Sequence, residues 1–309
     1  MALLFRSTPD SVTRWKAQLS RLMPDLDIRV WPEVGNLGEI EYALVWQPEP
    51  GLLASLPNLK LILSLGAGVD HILWDPDLPR HLPIIRLVDP YMTDAMSEYV
   101  VLQVLRLHRQ DLVYRAQQDA AVWHELAQKN AGERRVGILG FGELGRDAAK
   151  KLKGLGFDVA AWSRSEKTVA GAESHSGTAG LPRLLARSEI LVCLLPLTAE
   201  TEGILNARTL ALLPKGAALI NAARGGHLVE EDLIAALDCG QLSAAVLDVF
   251  REEPLTADHP FWRHPRIVVT PHIAALTNPP TAAPIILDTI RRFETGCPLL
   301  HRVDPALGY

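Results

Sequence analysis

The sequence is poor in cysteine, and the cysteines it has are scattered. Cys193, Cys239 and Cys297 form no Cys-x-x-Cys pair and stand in no cluster with histidine. A disulfide framework and a structural zinc site are therefore not expected, and a reducing compartment fits this composition. His71, His124 and His264 have no ligand partners at metal-site spacing, so the sequence predicts no metal.

The sequence also lacks a strong charge of one sign and long apolar segments. Its 36 acidic and 31 basic residues give a net charge of -5, so no basic excess argues for nucleic acid. No apolar run approaches the roughly 18 residues of a membrane span, and Arg6 interrupts the first apolar stretch too early for a signal peptide. We therefore expect a cytoplasmic protein that binds neither nucleic acid nor membrane.

What the sequence does contain is an alternation of short apolar runs with longer amphipathic segments. Such alternation predicts parallel sheets covered by helices, and 309 residues are enough for two domains. The expected fold is α/β, with two Rossmann-like or flavodoxin-like doubly wound parallel-sheet domains and a cleft between them. Functional residues should lie just after strands. Two local predictions are one helix over Thr93–Arg115 and a surface loop over 168–180.

A glycine motif lies where a predicted strand meets a predicted helix. Gly140-x-Gly142-x-x-Gly145 follows an apolar run and opens an amphipathic helix, which is the context that gives the motif its weight. The first glycine permits a tight turn, the second lets a pyrophosphate approach the main chain, and the third lets helix and strand pack closely. The N–H groups of Glu143 and Leu144 then face the anion. A glycine-rich turn without a ligand is the alternative.

The next predicted strand ends in AWSRSEK (161–167), which has no carboxylate at the strand end. In NAD-binding proteins an acidic residue there accepts hydrogen bonds from the ribose. Arg164 instead offers a permanently charged fork suited to a 2′-phosphate. Ser163 and Ser165 are further donors, and Lys167 adds charge. The predicted cofactor is NADP(H), with NAD(H) as second choice; a solvated loop arginine is the alternative.

Three further motifs place polar residues just after predicted strands. Arg224 follows one strand in LINAARGG, Glu253 another in VLDVFREEP, and His272 a third in VVTPHIAA. Singly, they are compatible with a surface arginine, a solvated loop acid and a helix-capping histidine. A base, a carboxylate and a histidine at one sheet edge, downstream of a nucleotide motif, together predict acid/base chemistry on an anionic substrate.

With these motifs the chain resembles the D-2-hydroxyacid dehydrogenase family of NAD(P)-dependent reductases of 2-oxo acids. The resemblance runs from LGAGVDHI (65–72) to TPHIA (270–274), and AWSRSEK and VDPALGY (303–309) are most similar to its glyoxylate/hydroxypyruvate reductase branch. It implies that Arg224 binds the substrate carboxylate and polarises the C2 carbonyl, that His272 is the general acid, and that Glu253 holds the histidine ring. It further implies a cofactor groove that includes Pro196, Ala222 and Asp248.

The resemblance also implies a division of the chain. Residues 1–98 and 275–309 would form the substrate-binding catalytic domain, and residues 99–274 the dinucleotide-binding domain. In the first, Ala67 and Gly68 would donate N–H groups to the substrate carboxylate, and Trp46 would contact the substrate; a glycine-rich turn and core packing are the alternatives. The family usually forms homodimers.

The predicted activity is NADPH-dependent reduction of small 2-oxo acids, glyoxylate to glycolate and hydroxypyruvate to D-glycerate. Alternatives are a relative that acts on another 2-oxo or 2-hydroxy acid, such as phosphoglycerate or a bulky aromatic acid, and a dinucleotide-sensing protein without turnover. The presence of all three catalytic residues argues against the last.

Overall fold

The computed structural model describes residues 1–167 and 173–309. The strands are β1 Ala2–Arg6, β2 Asp27–Val30, β3 Ile40–Val45, β4 Leu61–Ser64, β5 Ile84–Ile85, β6 Arg135–Leu139, β7 Asp158–Ser163, β8 Glu173–Ser176, β9 Ile190–Cys193, β10 Ala217–Asn221, β11 Leu242–Leu247 and β12 Ile267–Val269. The α-helices are α1 Pro9–Leu22, α2 Asp70–Leu73, α3 Pro90–His108, α4 Asp111–Asp119, α5 Glu143–Gly154, α6 Gly177–Arg187, α7 Ala207–Leu210, α8 Glu230–Asp238 and α9 Pro279–Glu294. No helix of this described part is long and apolar enough to cross a membrane.

The chain divides into two compact units, each with its own parallel sheet. The first unit comprises Met1–Met92 and Thr277–Tyr309, and the second comprises Thr93–Leu276. The division predicted from the sequence, 1–98 with 275–309 and 99–274, has boundaries a few residues from these. The substrate-binding and dinucleotide-binding roles of the two parts stay predictions. Within the described residues every pairing between named strands is parallel, so the predicted α/β class is confirmed.

The described residues of the first unit form a five-stranded sheet with the strand order β2-β1-β3-β4-β5. This is the flavodoxin-like order. Its core contains Leu4, Val45 and Ile62, all fully buried. The C-terminal segment belongs to this unit: Tyr42 donates from its hydroxyl to Glu294 on α9 at 3.2 Å.

The second unit carries seven strands, counted over the described residues, in the order β12-β11-β10-β9-β6-β7-β8. Neighbouring residues of one strand belong to different cores. Leu139, Leu191 and Leu219 lie in one cluster, whereas Ile138 and Val192 lie in another. This alternation follows from the two-residue period of a strand, and it explains why strands covered on both faces read as continuous apolar runs.

Two local predictions were wrong. The helix predicted over Thr93–Arg115 is two helices, because Gln110 between α3 and α4 has left-handed backbone (φ 59°, ψ 33°). The loop predicted over 168–180 is wrong for its second half: Glu173–Ser176 is an edge strand paired with β7, and α6 begins at Gly177. Residues 168–172 lie outside the described residues.

Candidate active site

The sequence-predicted residues of the second unit follow the carboxyl ends of its strands. The glycine motif follows β6, Arg164 follows β7, Pro196 follows β9, and Arg224 follows β10. Beyond β11 and β12 come Asp248, Glu253 and His272. Because the strands are parallel, all of these ends meet at one edge of the sheet, where ligands of open α/β sheets bind.

The glycine turn after β6 fits a bound dinucleotide. Gly140 has a φ of +97°, and a Cβ at Gly145 would lie 2.0 Å from the carbonyl oxygen of Gly140. The start of α5 is therefore packed directly on the turn. A Cβ at Gly142 would meet nothing within 4 Å among the described residues, so that side of the turn is open. The helix begins at Glu143, next to Leu144, and its first N–H groups have no partner within the helix. An anion can approach here.

The segment after β7 is shaped by its own hydrogen bonds. Ser163 is buried and donates its hydroxyl proton to the carbonyl of Ser165 at 2.8 Å, so in this conformation the proton is used within the turn. Arg164 is 39% exposed, with Nη1 3.9 Å from a carboxylate oxygen of Glu200. Lys167 donates from Nζ to the carbonyl oxygen of Phe141, inside the glycine turn, at 3.2 Å. The two loops that would hold a dinucleotide are thus linked.

Arg224 extends from a loop whose main chain is fixed on several sides. Its carbonyl oxygen accepts from Nδ2 of the fully buried Asn221 at 3.0 Å. The same asparagine accepts from the N–H of Ala223 at 3.2 Å. The guanidinium donates from Nη1 to the carbonyl of Ala223 at 2.8 Å. Ala222, also predicted, is buried at the start of this loop.

Glu253 and His272 are in direct contact. Oε2 of Glu253 lies 2.7 Å from Nδ1 of His272, and Oε1 accepts from the main-chain N–H of Phe250 at 3.0 Å. The glutamate is therefore held at one oxygen and holds the imidazole with the other. This arrangement orients the histidine ring, and it directs Nε2 to the side away from the glutamate.

The ionisation of Glu253 reflects these partners. Burial alone would raise the pKa of its carboxyl group. The hydrogen bonds from His272 and from the N–H of Phe250, together with the charges of His272 and Arg224, outweigh burial and lower the pKa below its usual 4.5. The segment that carries Arg224 packs on the segment that leads to Glu253, because a Cβ at Gly225 would lie 1.9 Å from the carbonyl carbon of Phe250.

A hydrogen-bond network supports the loop that carries His272. Asp248 is buried, and its carboxylate accepts from the hydroxyl of Thr270 at 2.6 Å and from the N–H groups of Ile273 and Ala274 at 3.0 and 2.9 Å. Its carbonyl accepts from the N–H of His272 at 2.8 Å. These contacts give Asp248 a structural role that the sequence did not indicate, and its predicted place in the cofactor groove stays a prediction.

Tyr99 on α3 extends this network, and sequence reasoning missed it. Its hydroxyl lies 2.7 Å from Oγ1 of Thr270. Burial, the largest influence, raises the pKa of Tyr99 to about 12. The tyrosine therefore stays neutral over the physiological range and serves as a hydrogen-bonding group. Thr270 stood in the TPHIA motif as a signal, whereas nothing in the pattern of α3 singled out Tyr99.

In the first unit, the predicted residues follow β3 and β4. A Cβ at Gly66 would lie 2.6 Å from the ring of Trp46, so the indole packs directly on the turn that contains Ala67 and Gly68. The ring of His71 also packs on Trp46, with centroids 4.4 Å apart. The structure thus brings the three predicted residues of this unit together.

A protein family and a full-length relative both match this chain. Residues 101–274 match the model of the family described as D-isomer specific 2-hydroxyacid dehydrogenase, NAD binding domain. The chain is 43% identical to the glyoxylate/hydroxypyruvate reductase A of Serratia proteamaculans over the full length of both proteins.

Two solved structures are similar to this chain over its whole length. One is a D-isomer specific 2-hydroxyacid dehydrogenase from Xanthobacter autotrophicus in complex with NADPH and MES, with a TM-score of 0.95, 45% identity and coverage of 100% of this chain and 99% of that one. Another is an NADPH-dependent glyoxylate/hydroxypyruvate reductase from Sinorhizobium meliloti in complex with NADP and sulfate, with a TM-score of 0.93, 40% identity and complete coverage of both chains.

Proposed function

Because the chain belongs to the D-isomer specific 2-hydroxyacid dehydrogenase family, whose members are NAD(P)-dependent oxidoreductases, we propose that it is an NADPH-dependent reductase of small 2-oxo acids. The proposed reactions are glyoxylate to glycolate and hydroxypyruvate to D-glycerate. The observation that carries the proposal is the Glu253–His272 pair, 2.7 Å apart, on a segment against which the loop of Arg224 packs at Gly225. The names of the similar reductases support the choice of substrate.

Arg224 is the proposed substrate anchor. Its guanidinium is a planar, permanently charged fork that can donate two hydrogen bonds to a carboxylate. The same donors reach toward the carbonyl of a 2-oxo acid, where negative charge develops during reduction, and stabilise that charge. The fixed main chain of Ala223 and Arg224 supplies the rigid base that such an anchor needs.

His272 is the proposed general acid. The bound dinucleotide would supply the hydride that reaches the C2 carbon. His272 gives the proton from Nε2 to the carbonyl oxygen, so that the C=O double bond becomes a C–OH group. Glu253 contacts Nδ1 and keeps the ring oriented, with Nε2 on the side away from the glutamate.

Preference for NADPH over NADH rests on Arg164. The guanidinium follows β7 with no carboxylate at the strand end, and a carboxylate there would repel a 2′-phosphate. Ser165 remains as a hydroxyl donor, since Ser163 uses its proton within the turn. Both proteins cited above with bound cofactor carry NADPH or NADP, which supports the same preference here.

A panel of 2-oxo acids assayed with NADPH and with NADH tests the function directly. We expect the highest kcat/KM for glyoxylate or hydroxypyruvate with NADPH. A preference for a bulky aromatic acid or for phosphohydroxypyruvate would assign the chain to another activity of the family. Tight NADPH binding without turnover on any acid would contradict the proposal and favour a sensor.

Replacement of Arg164 by Ala tests the cofactor assignment. We expect the KM for NADPH to rise at least about tenfold, since a charge-assisted hydrogen bond contributes ~1.5–3 kcal/mol, while the KM for NADH stays within about twofold. Arg183→Ala serves as the control, because Arg183 belongs to the same unit but lies on α6. Equal changes in both KM values would remove Arg164 from the 2′-phosphate site.

Four further assignments belong to the proposal. The N–H groups of Ala67 and Gly68 bind the substrate carboxylate, and Trp46 contacts the substrate. The enzyme works in the cytoplasm as a homodimer, for which the fully exposed Trp123 is a candidate contact. Light scattering should give about twice the chain mass of 33.9 kDa; a monomer mass at assay concentration would contradict the dimer.

A further inference from the structure

His227 is a fully buried histidine, 0% exposed, for which the proposed reaction has no use. It lies three residues after Arg224 in the Arg224 loop, which we define as residues 222–229. Its Nδ1 is 3.1 Å from the carbonyl oxygen of Arg224. Its Nε2 is 3.3 Å from the carbonyl oxygen of Pro196, which belongs to the Pro196 loop, residues 194–206. The ring therefore lies between the two loops.

These two oxygens are main-chain carbonyl oxygens, which can only accept hydrogen bonds. A protonated Nδ1 therefore donates to Arg224, a protonated Nε2 donates to Pro196, and a ring with both protons donates to both. Each carbonyl has other donors as well. The carbonyl of Arg224 accepts from Nδ2 of Asn221 at 3.0 Å and from the main-chain N–H of His227 at 3.3 Å, and the carbonyl of Pro196 accepts from the hydroxyl of Thr201 at 2.7 Å. His227 thus adds to two anchoring points that are already fixed.

Main-chain hydrogen bonds join the same two loops further along. The N–H of Gly203 donates to Gly226, and the N–H of Leu205 donates to the carbonyl of His227, both at 2.9 Å. The histidine ring extends this connection to Arg224 and Pro196, which lie close to the ends of β10 and β9. It acts where a small shift of the loop would move the guanidinium.

We propose that His227 is a positioning residue for Arg224. Its ring holds the main chain of Arg224 at a set distance from the Pro196 loop and so directs the guanidinium toward the substrate carboxylate. This inference rests on the proposed function of Arg224. Misplacement of a binding group by about 1 Å can cost on the order of a hundredfold in rate, so loss of the ring should affect binding of the 2-oxo acid.

The test compares His227→Leu, which removes the ring donors, with His227→Gln, which keeps an amide donor at similar volume. For His227→Leu we expect the KM for the 2-oxo acid to rise about tenfold, the loss of a hydrogen bond of ordinary strength, and the KM for NADPH to stay within about twofold. His227→Gln should recover much of the loss. His259→Leu is the control, because that ring also contacts the main chain, although as an acceptor from the N–H of Phe261, and lies outside both loops.

If His227 were needed for folding alone, its replacement would lower the fraction of active enzyme. In that case kcat would fall with both KM values unchanged, and this result would overturn the proposal. A double-mutant cycle with Arg224→Lys adds a second criterion. If His227 acts through Arg224, His227→Leu should change the KM by less than about twofold in the Arg224→Lys background. Full additivity would overturn the proposal.

Hydrogen exchange separates this inference from the proposed function. In His227→Leu, or in His227→Gln if the leucine variant does not fold, we expect the amides of residues 225–228 to exchange faster than in His259→Leu. Unchanged exchange would overturn the positioning role even if the enzyme is active. If the wild-type protein were inactive on every 2-oxo acid, the proposed function would be refuted. Faster exchange in the His227 variants would still establish that the His227 ring fixes the main chain of the Arg224 loop.

Discussion

At the scale of single residues, the backbone of His272 has a φ of 54°, which few residues other than glycine adopt. Such conformations cost on the order of 1–3 kcal/mol and persist where the surroundings fix them. Here the N–H of His272 is bonded to Asp248, whose carboxylate also holds the next two N–H groups. The main chain of this loop is therefore fixed by Asp248, and the imidazole ring is fixed separately by Glu253.

Replacement of His272 by Ala should cut kcat by about 10²–10⁴, the usual contribution of a general acid. Cofactor affinity should change by less than about twofold, because the glycine turn and Arg164 lie after other strands. Steady-state kinetics and fluorescence titration with NADPH measure the two quantities. His81→Ala, at an exposed histidine, is the control. A collapse of cofactor affinity together with turnover would indicate a structural role.

The lowered pKa of Glu253 predicts a pH dependence of stability. A carboxyl group whose pKa is lower in the folded than in the unfolded protein stabilises the fold above its usual pKa, and this contribution is lost as the pH falls through the lowered value. The Tm difference between wild type and Glu253→Gln should therefore be present near neutral pH and shrink as the pH falls below 4.5. Calorimetry at several pH values measures it, with the exposed Glu252→Gln as control. A pH-independent difference would contradict the assignment.

At the scale of elements, the turn between β6 and α5 has two glycines that folding needs, Gly140 and Gly145, and one that it does not, Gly142. A Cβ at Gly145 would lie 2.0 Å from a carbonyl oxygen, whereas a Cβ at Gly142 has open space among the described residues. Gly145→Ala should lower the Tm by several degrees. Gly142→Ala should leave the Tm unchanged and weaken NADPH binding, because its methyl group occupies the space of the pyrophosphate. Undiminished NADPH affinity in Gly142→Ala would place the pyrophosphate elsewhere.

The elements also show what the sequence could predict. The glycine turn and the residues after each strand could be predicted, because they depend on local spacing and on the shared edge of a parallel sheet. The contact of Tyr99 with Thr270 could not, since it joins residues 171 positions apart. Gln110 breaks a helix that its apolar pattern continues, and His227 lies in a loop without periodicity. Both depend on tertiary packing.

At the scale of the whole molecule, each unit has a core of its own, so damage to one should remain there. Ile290 on α9 is fully buried in the first unit, and its replacement by Ala should cost about 2–5 kcal/mol. Hydrogen exchange should then accelerate in β1–β5 and stay unchanged in β6–β12. Arg291→Ala, at the exposed neighbour on the same helix, is the control. Equal acceleration in both sheets would show that the units unfold together.

The first unit is built from both ends of the chain, since α9 packs with α1 while the second unit lies between them in sequence. During synthesis, β1–β5 leave the ribosome before the second unit, whereas α9, which packs with α1, leaves after it. The second unit has all its residues earlier, and domains generally fold as their chain becomes available. We expect the nascent protein to acquire a folded dinucleotide-binding unit before β1–β5 reach their final packing.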